Sequence, residues 1–125
     1  MKLIVTATAP DMNAPVDPRF GRAAYFVAVD GDTSQWQAHQ NGGVNAAGGA
    51  GAQAAQFVAQ QGAQAVISGD FGPNAYIALA AAEIKMYLLG PSRTVAEAIA
   101  NFTAGKLEQV HAPTGAGHHG GRGGQ

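Results

Sequence analysis

Asp17-Pro18-Arg19-Phe20-Gly21-Arg22 interrupts the chain between two apolar runs, and its reading decides which fold can follow. Pro18 fixes its own φ and has no N–H to give, while Gly21 favours a turn, so no strand or helix passes through. The flanking runs, 3–7 and 24–29, are therefore separate strands. Arg19 and Arg22 set two guanidinium forks in the same break, beside the Phe20 ring. The loop reads as one wall of an anion site, although on composition alone an ordinary turn with solvated arginines is the commoner case.

On either side the pattern is regular enough to order the elements. Residues 3–7 are apolar and β-branched, as expected of a strand buried on both faces, and a long loop, 8–22, follows them. After the second strand, Asp30-Gly31-Asp32-Thr33-Ser34 is turn chemistry for a hairpin into 35–39, where Trp36 and Ala38 alternate with Gln37 and His39. The period then changes: Ala50, Ala54, Phe57 and Val58 form a helical stripe that Gly62 ends. Residues 65–68 are a strand, and after the tight loop Gly69-Asp70-Phe71-Gly72, Pro73 stands at the first position of a helix reaching about 82. A strand at 84–89 leads to Thr94 and Glu97 at capping-box spacing. Val95, Ala98, Ile99 and Phe102 give the last helix its buried stripe, and Gly105 closes it. Strands alternating with helices predict an α/β fold with parallel pairs, helices on both faces and an antiparallel second strand. A single domain is expected over 1–110. The Gly/His-rich remainder, 111–125, is too poor in apolar residues to fold and is expected to be a flexible tail.

Composition narrows the function. Charged residues are 12% of the 125, with a net charge of −1, so no long-range field draws nucleic acid or an anionic membrane. An anion must be caught by local geometry. Absence of cysteine excludes thiolate-held zinc, a covalently ligated iron-sulfur cluster and a thiol nucleophile. A reducing, cytoplasmic location fits, and no apolar run is long enough for a membrane helix. No carboxylate stands on the first strand for two-metal nuclease chemistry, and no triad is evident; the chain reads as a non-enzyme.

The carboxyl ends of parallel strands are where open α/β sheets bind ligands. Four loops meet there: 8–22, 40–51, 69–72 and 90–93. The candidate binding residues are Arg19, Phe20, Gly21, Arg22, His39, Asn41, Gly49, Gly51, Gly69, Gly72, Pro73 and Asn74. Bare amides of the glycine-rich loops and the helix N-termini would hold the anion. The glycine-rich lead into the first helix matches neither the dinucleotide nor the P-loop pattern and also suits a plain connection. His39, His118 and His119 are candidate metal ligands, the last two lying in the tail where metal capture would be adventitious.

Several of these motifs, in order, resemble the dinitrogenase iron-molybdenum cofactor biosynthesis family. They are 17–23 followed by Tyr25-Phe26, Gly49-Ala50-Gly51 leading a helix, Ile67-Ser68-Gly69-Asp70-Phe71-Gly72-Pro73-Asn74-Ala75, Val95-Ala96-Glu97-Ala98 and Gly105-Lys106-Leu107. The resemblance implies a ribonuclease H-like fold, with a five-stranded mixed sheet of order 3-2-1-4-5. It implies a carrier or scaffold for a metal-sulfur cluster rather than a catalyst. Similarity to small stand-alone members implies a molybdenum-copper-sulfide cluster held non-covalently, with an iron-molybdenum cofactor precursor or a protein-interaction role as alternatives. Nitrogenase-associated members often carry histidine before the Phe-Gly; Arg19 stands there instead, which favours ionic capture over coordination.

Overall fold

A computed structural model describes residues 1–43 and 48–114. The elements follow the expected order: β1 (Lys2–Ala7), β2 (Tyr25–Asp30), β3 (Trp36–Gln40), α1 (Ala50–Gln60), β4 (Ala65–Ser68), α2 (Pro73–Ala81), β5 (Lys85–Leu88) and α3 (Val95–Thr103). They form one five-stranded sheet in the order β3-β2-β1-β4-β5. β1 pairs antiparallel with β2 and β2 with β3, while the β1–β4 and β4–β5 pairs are parallel. β1, β3, β4 and β5 therefore run one way, and their carboxyl ends share an edge.

Alternation along the central strands divides the core. Ile4, Phe26, Ala28, Val66 and Met86 face α1 and α2, meeting Ala54, Val58, Ala75 and Leu79. Val5, Val27, Val29 and Ile67 face the other way and meet Val95 and Ala98 of α3. Both faces are covered, so the inner strands carry almost no polar side chains; Thr6 and Ser68 are the buried exceptions there. α3 starts as its sequence implies, with the Thr94 hydroxyl accepting the Glu97 N–H at 3.1 Å. The return contact differs by one residue: the Glu97 carboxylate accepts the N–H of Arg93, at 2.7 Å.

The chain beyond α3 stays attached. Leu88 donates to the Glu108 carbonyl at 3.0 Å and Val110 to that of Met86 at 2.8 Å, so this run lies along β5. Phe71 and Thr114 then bond in both directions: the Thr114 N–H reaches the Phe71 carbonyl at 2.7 Å, and the Phe71 N–H reaches the Thr114 hydroxyl at 2.7 Å. The expected boundary at 110 falls inside this run. His118 and His119 lie outside the described residues.

Two glycine contacts weld the loops at the carboxyl edge. A Cβ on Gly69 would come 2.6 Å from both Cα and the carbonyl oxygen of Pro18. One on Gly21 would come 2.8 Å from the backbone nitrogen of Gly51. Gly69→Ala should therefore destabilise the protein by roughly 1–3 kcal/mol, since backbone has to move to admit the methyl. Gly42→Ala, where nothing lies within 4 Å, should stay within about 0.5 kcal/mol of wild type. Urea unfolding midpoints of the two variants check this contrast.

Candidate functional site

Asp17 organises the carboxyl edge. Its side chain is buried, yet it carries a charge and therefore needs donors. Oδ1 accepts the N–H of Arg19 at 3.0 Å and Arg19 Nε at 3.3 Å. Oδ2 accepts Arg19 Nη2 at 3.4 Å and the N–H of Ala24 at 3.3 Å. The Asp17 backbone is fixed as well: its N–H donates to the Thr6 carbonyl at 2.9 Å, and its carbonyl receives the Thr6 hydroxyl at 2.6 Å and the Ser68 hydroxyl at 3.3 Å. Thr6 and Ser68 touch each other at 2.8 Å across the β1–β4 pair. The loop is thus tied to the ends of both central strands. Sequence reading missed this pair, although each is a hydroxyl near the carboxyl end of an otherwise apolar strand.

Arg19 points outward from this anchor. Its side chain is 61% exposed while the partner carboxylate is 3% exposed, with Nε and Nη2 held by Asp17. Arg22 is half-buried in the same loop. Phe20, between them, turns inward instead. It is buried, with ring centroids 5.4 Å from Phe71 and 6.0 Å from Phe26. Its backbone N–H bonds to the Asp70 carboxylate. Burial raises the Asp70 carboxyl above the usual carboxylate range, and the Phe20 N–H and the Arg19 guanidinium offset only part of that.

The helix starts differ in a way that bears on chemistry. α1 begins after Gly49, at φ 74°, and α2 after Gly72 with Pro73 in its first turn; neither cap supplies a side-chain acceptor and neither first turn holds an acid. α3, by contrast, has both a capping hydroxyl and Glu97. The two uncapped starts lie together, since a Cβ on Gly51 would meet the Ala75 methyl at 3.1 Å and its nitrogen at 3.3 Å. Gly21 closes on Gly51 from the other side, which brings the arginine loop to the same place. Gly49, Pro73 and Asn74 are exposed there.

The remaining candidates serve as supports. Asn41 is buried, and its amide donates to the carbonyls of Gly21 at 3.0 Å and Ala23 at 2.8 Å while its oxygen accepts the Gly43 N–H at 2.9 Å. Gly21, Gly51 and Gly69 are occupied by close backbone packing. His39 is half-buried on the α1 side, edge-on to Phe57 with centroids 5.3 Å apart, and its Nε2 is buried without a partner among the described residues. No group of three or more His, Cys, Asp or Glu side chains among those residues is placed to hold a metal ion. The edge offers the exposed Arg19 side chain and two helix starts without side-chain caps, a set suited to a preformed anion rather than a bare cation. Grooves of about 610 Å³ beside Asp30 and Trp36 and about 310 Å³ beside Tyr76 and His111 lie elsewhere.

This arrangement has relatives of known structure. The apo orange protein of Desulfovibrio gigas shares 39% identity at a TM-score of 0.87, over 91% of this chain and 96% of that one. A NifB-like protein of Thermotoga, determined by NMR, shares 30% at 0.77, over 86% of this chain and 91% of its own. No curated protein matches. The family described as dinitrogenase iron-molybdenum cofactor matches residues 1–105. With that match spanning the whole sheet and all three helices, the chain belongs to the dinitrogenase iron-molybdenum cofactor family.

Proposed function

We propose that the carboxyl edge captures an anionic molybdenum-sulfur cluster as cargo, without catalysing its chemistry. The observation that carries this reading is the pairing of two uncapped helix starts, α1 and α2, beside the exposed Arg19 fork. Each start has first-turn N–H groups without a side-chain cap and a partial positive charge, and the two starts lie side by side, so one anion could serve both. Arg19 adds hydrogen bonds of the charge-assisted kind, and Arg22 and Asn74 stand close by in sequence to these elements. His39 packs edge-on against Phe57 of α1 and is kept as a candidate ligand.

A cluster with sulfide on its outside needs donors and a shaped rim rather than thiolates, which agrees with a chain that has no cysteine. The likeness to an orange protein and to a NifB-like protein supports a metal-sulfur cargo, and we take the cargo to be a molybdenum-copper-sulfide cluster. The protein's part is to bind, orient and shield it. Asp17 is the positioning residue, because it sets where the Arg19 fork points.

Apo-protein mixed with tetrathiomolybdate and copper, then desalted, should retain colour, molybdenum and copper; a colourless, metal-free product overturns the reading. Arg19→Ala should weaken retention by about 1.5–3 kcal/mol for a charge-assisted bond lost, read as a drop in metal retained at equal protein. Asp70 gives a second check. Because its folded pKa is raised, ionisation costs stability at neutral pH, and that cost fades as pH falls through the folded value. Asp70→Asn keeps an acceptor for the Phe20 N–H, so it should melt higher than wild type at pH 7. The gap should close as the pH approaches 4, as thermal scans at the two pH values would show.

A further inference from the structure

One edge of the sheet is closed by the chain itself, since the run after α3 lies along β5 and Tyr87 bridges Gln109 antiparallel. β3, at the other edge, has no such neighbour among the described residues. Its five residues, Trp36-Gln37-Ala38-His39-Gln40, contain no formal charge and no proline, the devices by which edge strands commonly resist pairing. Trp36 is 43% exposed.

The hydrogen-bond phase of this strand is fixed by its ends. The Asp30 N–H donates to the Gln35 carbonyl at 2.9 Å, and the Asn41 N–H donates to the Ala24 carbonyl at 3.0 Å. With Val29 opposite Trp36 and Tyr25 opposite Gln40, the alternation of an antiparallel ladder turns the backbone groups of Gln35, Gln37, His39 and Asn41 toward β2. Those of Trp36, Ala38 and Gln40 face outward, and that set is symmetric about Ala38.

We propose that β3 is a self-association edge, at which a second copy adds its own β3 antiparallel about a two-fold axis through Ala38. Ala38 then faces Ala38 of the second copy and Trp36 faces its Gln40, all as hydrogen-bonded pairs, so every outward N–H and C=O of the strand is met. Gln37 faces His39 of the second copy on the opposite side of the sheet. The strand fits a copy of itself because the outward set reads the same in both directions, as an isologous contact demands. No like charges are brought face to face, and the net charge of −1 offers little repulsion between copies. The exposed Trp36 becomes the apolar anchor at each end. The pairing uses neither the Arg19 fork nor the α1 and α2 starts.

The lack of cysteine makes the test clean. In a hydrogen-bonded antiparallel pair the Cα atoms lie about 5.5 Å apart, within disulfide reach. Ala38→Cys should therefore oxidise to a covalent dimer at least about tenfold faster than an exposed control late in α3, Ala100→Cys, at equal concentration. Sedimentation of the unmodified chain from micromolar to near-millimolar concentration should show a reversible dimer. Ala38→Pro removes an outward N–H and leaves the β2 ladder intact, so it should abolish the dimer with an unchanged circular dichroism spectrum. Should Ala38→Pro fail to fold, Ala38→Lys, which sets like charges across the axis, takes its place. A wild-type monomer at all concentrations, or Ala38→Cys crosslinking no faster than Ala100→Cys, overturns the proposal.

Discussion

A buried carboxylate with no lysine or arginine fully enclosed beside it is costly unless backbone N–H groups and a partly solvated cation share its charge. Asp17 is placed in that way, and the carboxyl edge depends on it. Its side chain holds the N–H groups of Arg19 and Ala24 together with the Arg19 fork, while its own peptide is tied to Thr6 and Ser68. A sharp break between β1 and β2 would otherwise swing freely over the sheet. With these bonds it becomes a rigid rim, and Pro18 and Gly21 can be pressed against Gly69 and Gly51 without loss of order.

Electrostatics at the rim are local in origin. The chain is nearly neutral overall, and the charges present are arranged at short range: a buried acid beneath an exposed guanidinium, with Asp70 made reluctant to ionise by burial. Uncapped helix starts add partial positive charge that moves with the backbone and cannot be lost to a rotamer change. The α3 start, closed by Thr94 and Glu97, is the internal contrast: there side chains serve the first-turn donors.

Most of the architecture was legible because its signals are local. The change from a two-residue to a helical period, Pro73 at a helix start and Gly62 and Gly105 at helix ends all act within a few residues of themselves. The glycines at the edge were harder. Gly51 and Gly69 read as bare amides for a ligand and Gly21 as a chain breaker, and each also lets distant parts of the chain pack closely, a neighbour remote in sequence. Asn41 and Phe20 share that difficulty: a polar and an aromatic residue in a loop suggest contact with a ligand, whereas one spends its amide on the Gly21 and Ala23 carbonyls and the other fills the core beside Phe71. Sequence spacing carries no record of such distant neighbours.

The two ends of the described chain leave the molecule at different poles. Met1 is pinned by its amino group to Asp32 at the hairpin, 2.9 Å away, whereas Thr114 is clasped to Phe71 in the β4–α2 connection. A polypeptide joined directly at Thr114 in place of residues 115–125 therefore starts next to the arginine rim. A purification handle there would be delivered to the mouth of the proposed cargo site, and a metal-chelating one would compete for what the site collects. Attachment ahead of Met1 keeps such a handle on the far side of the sheet.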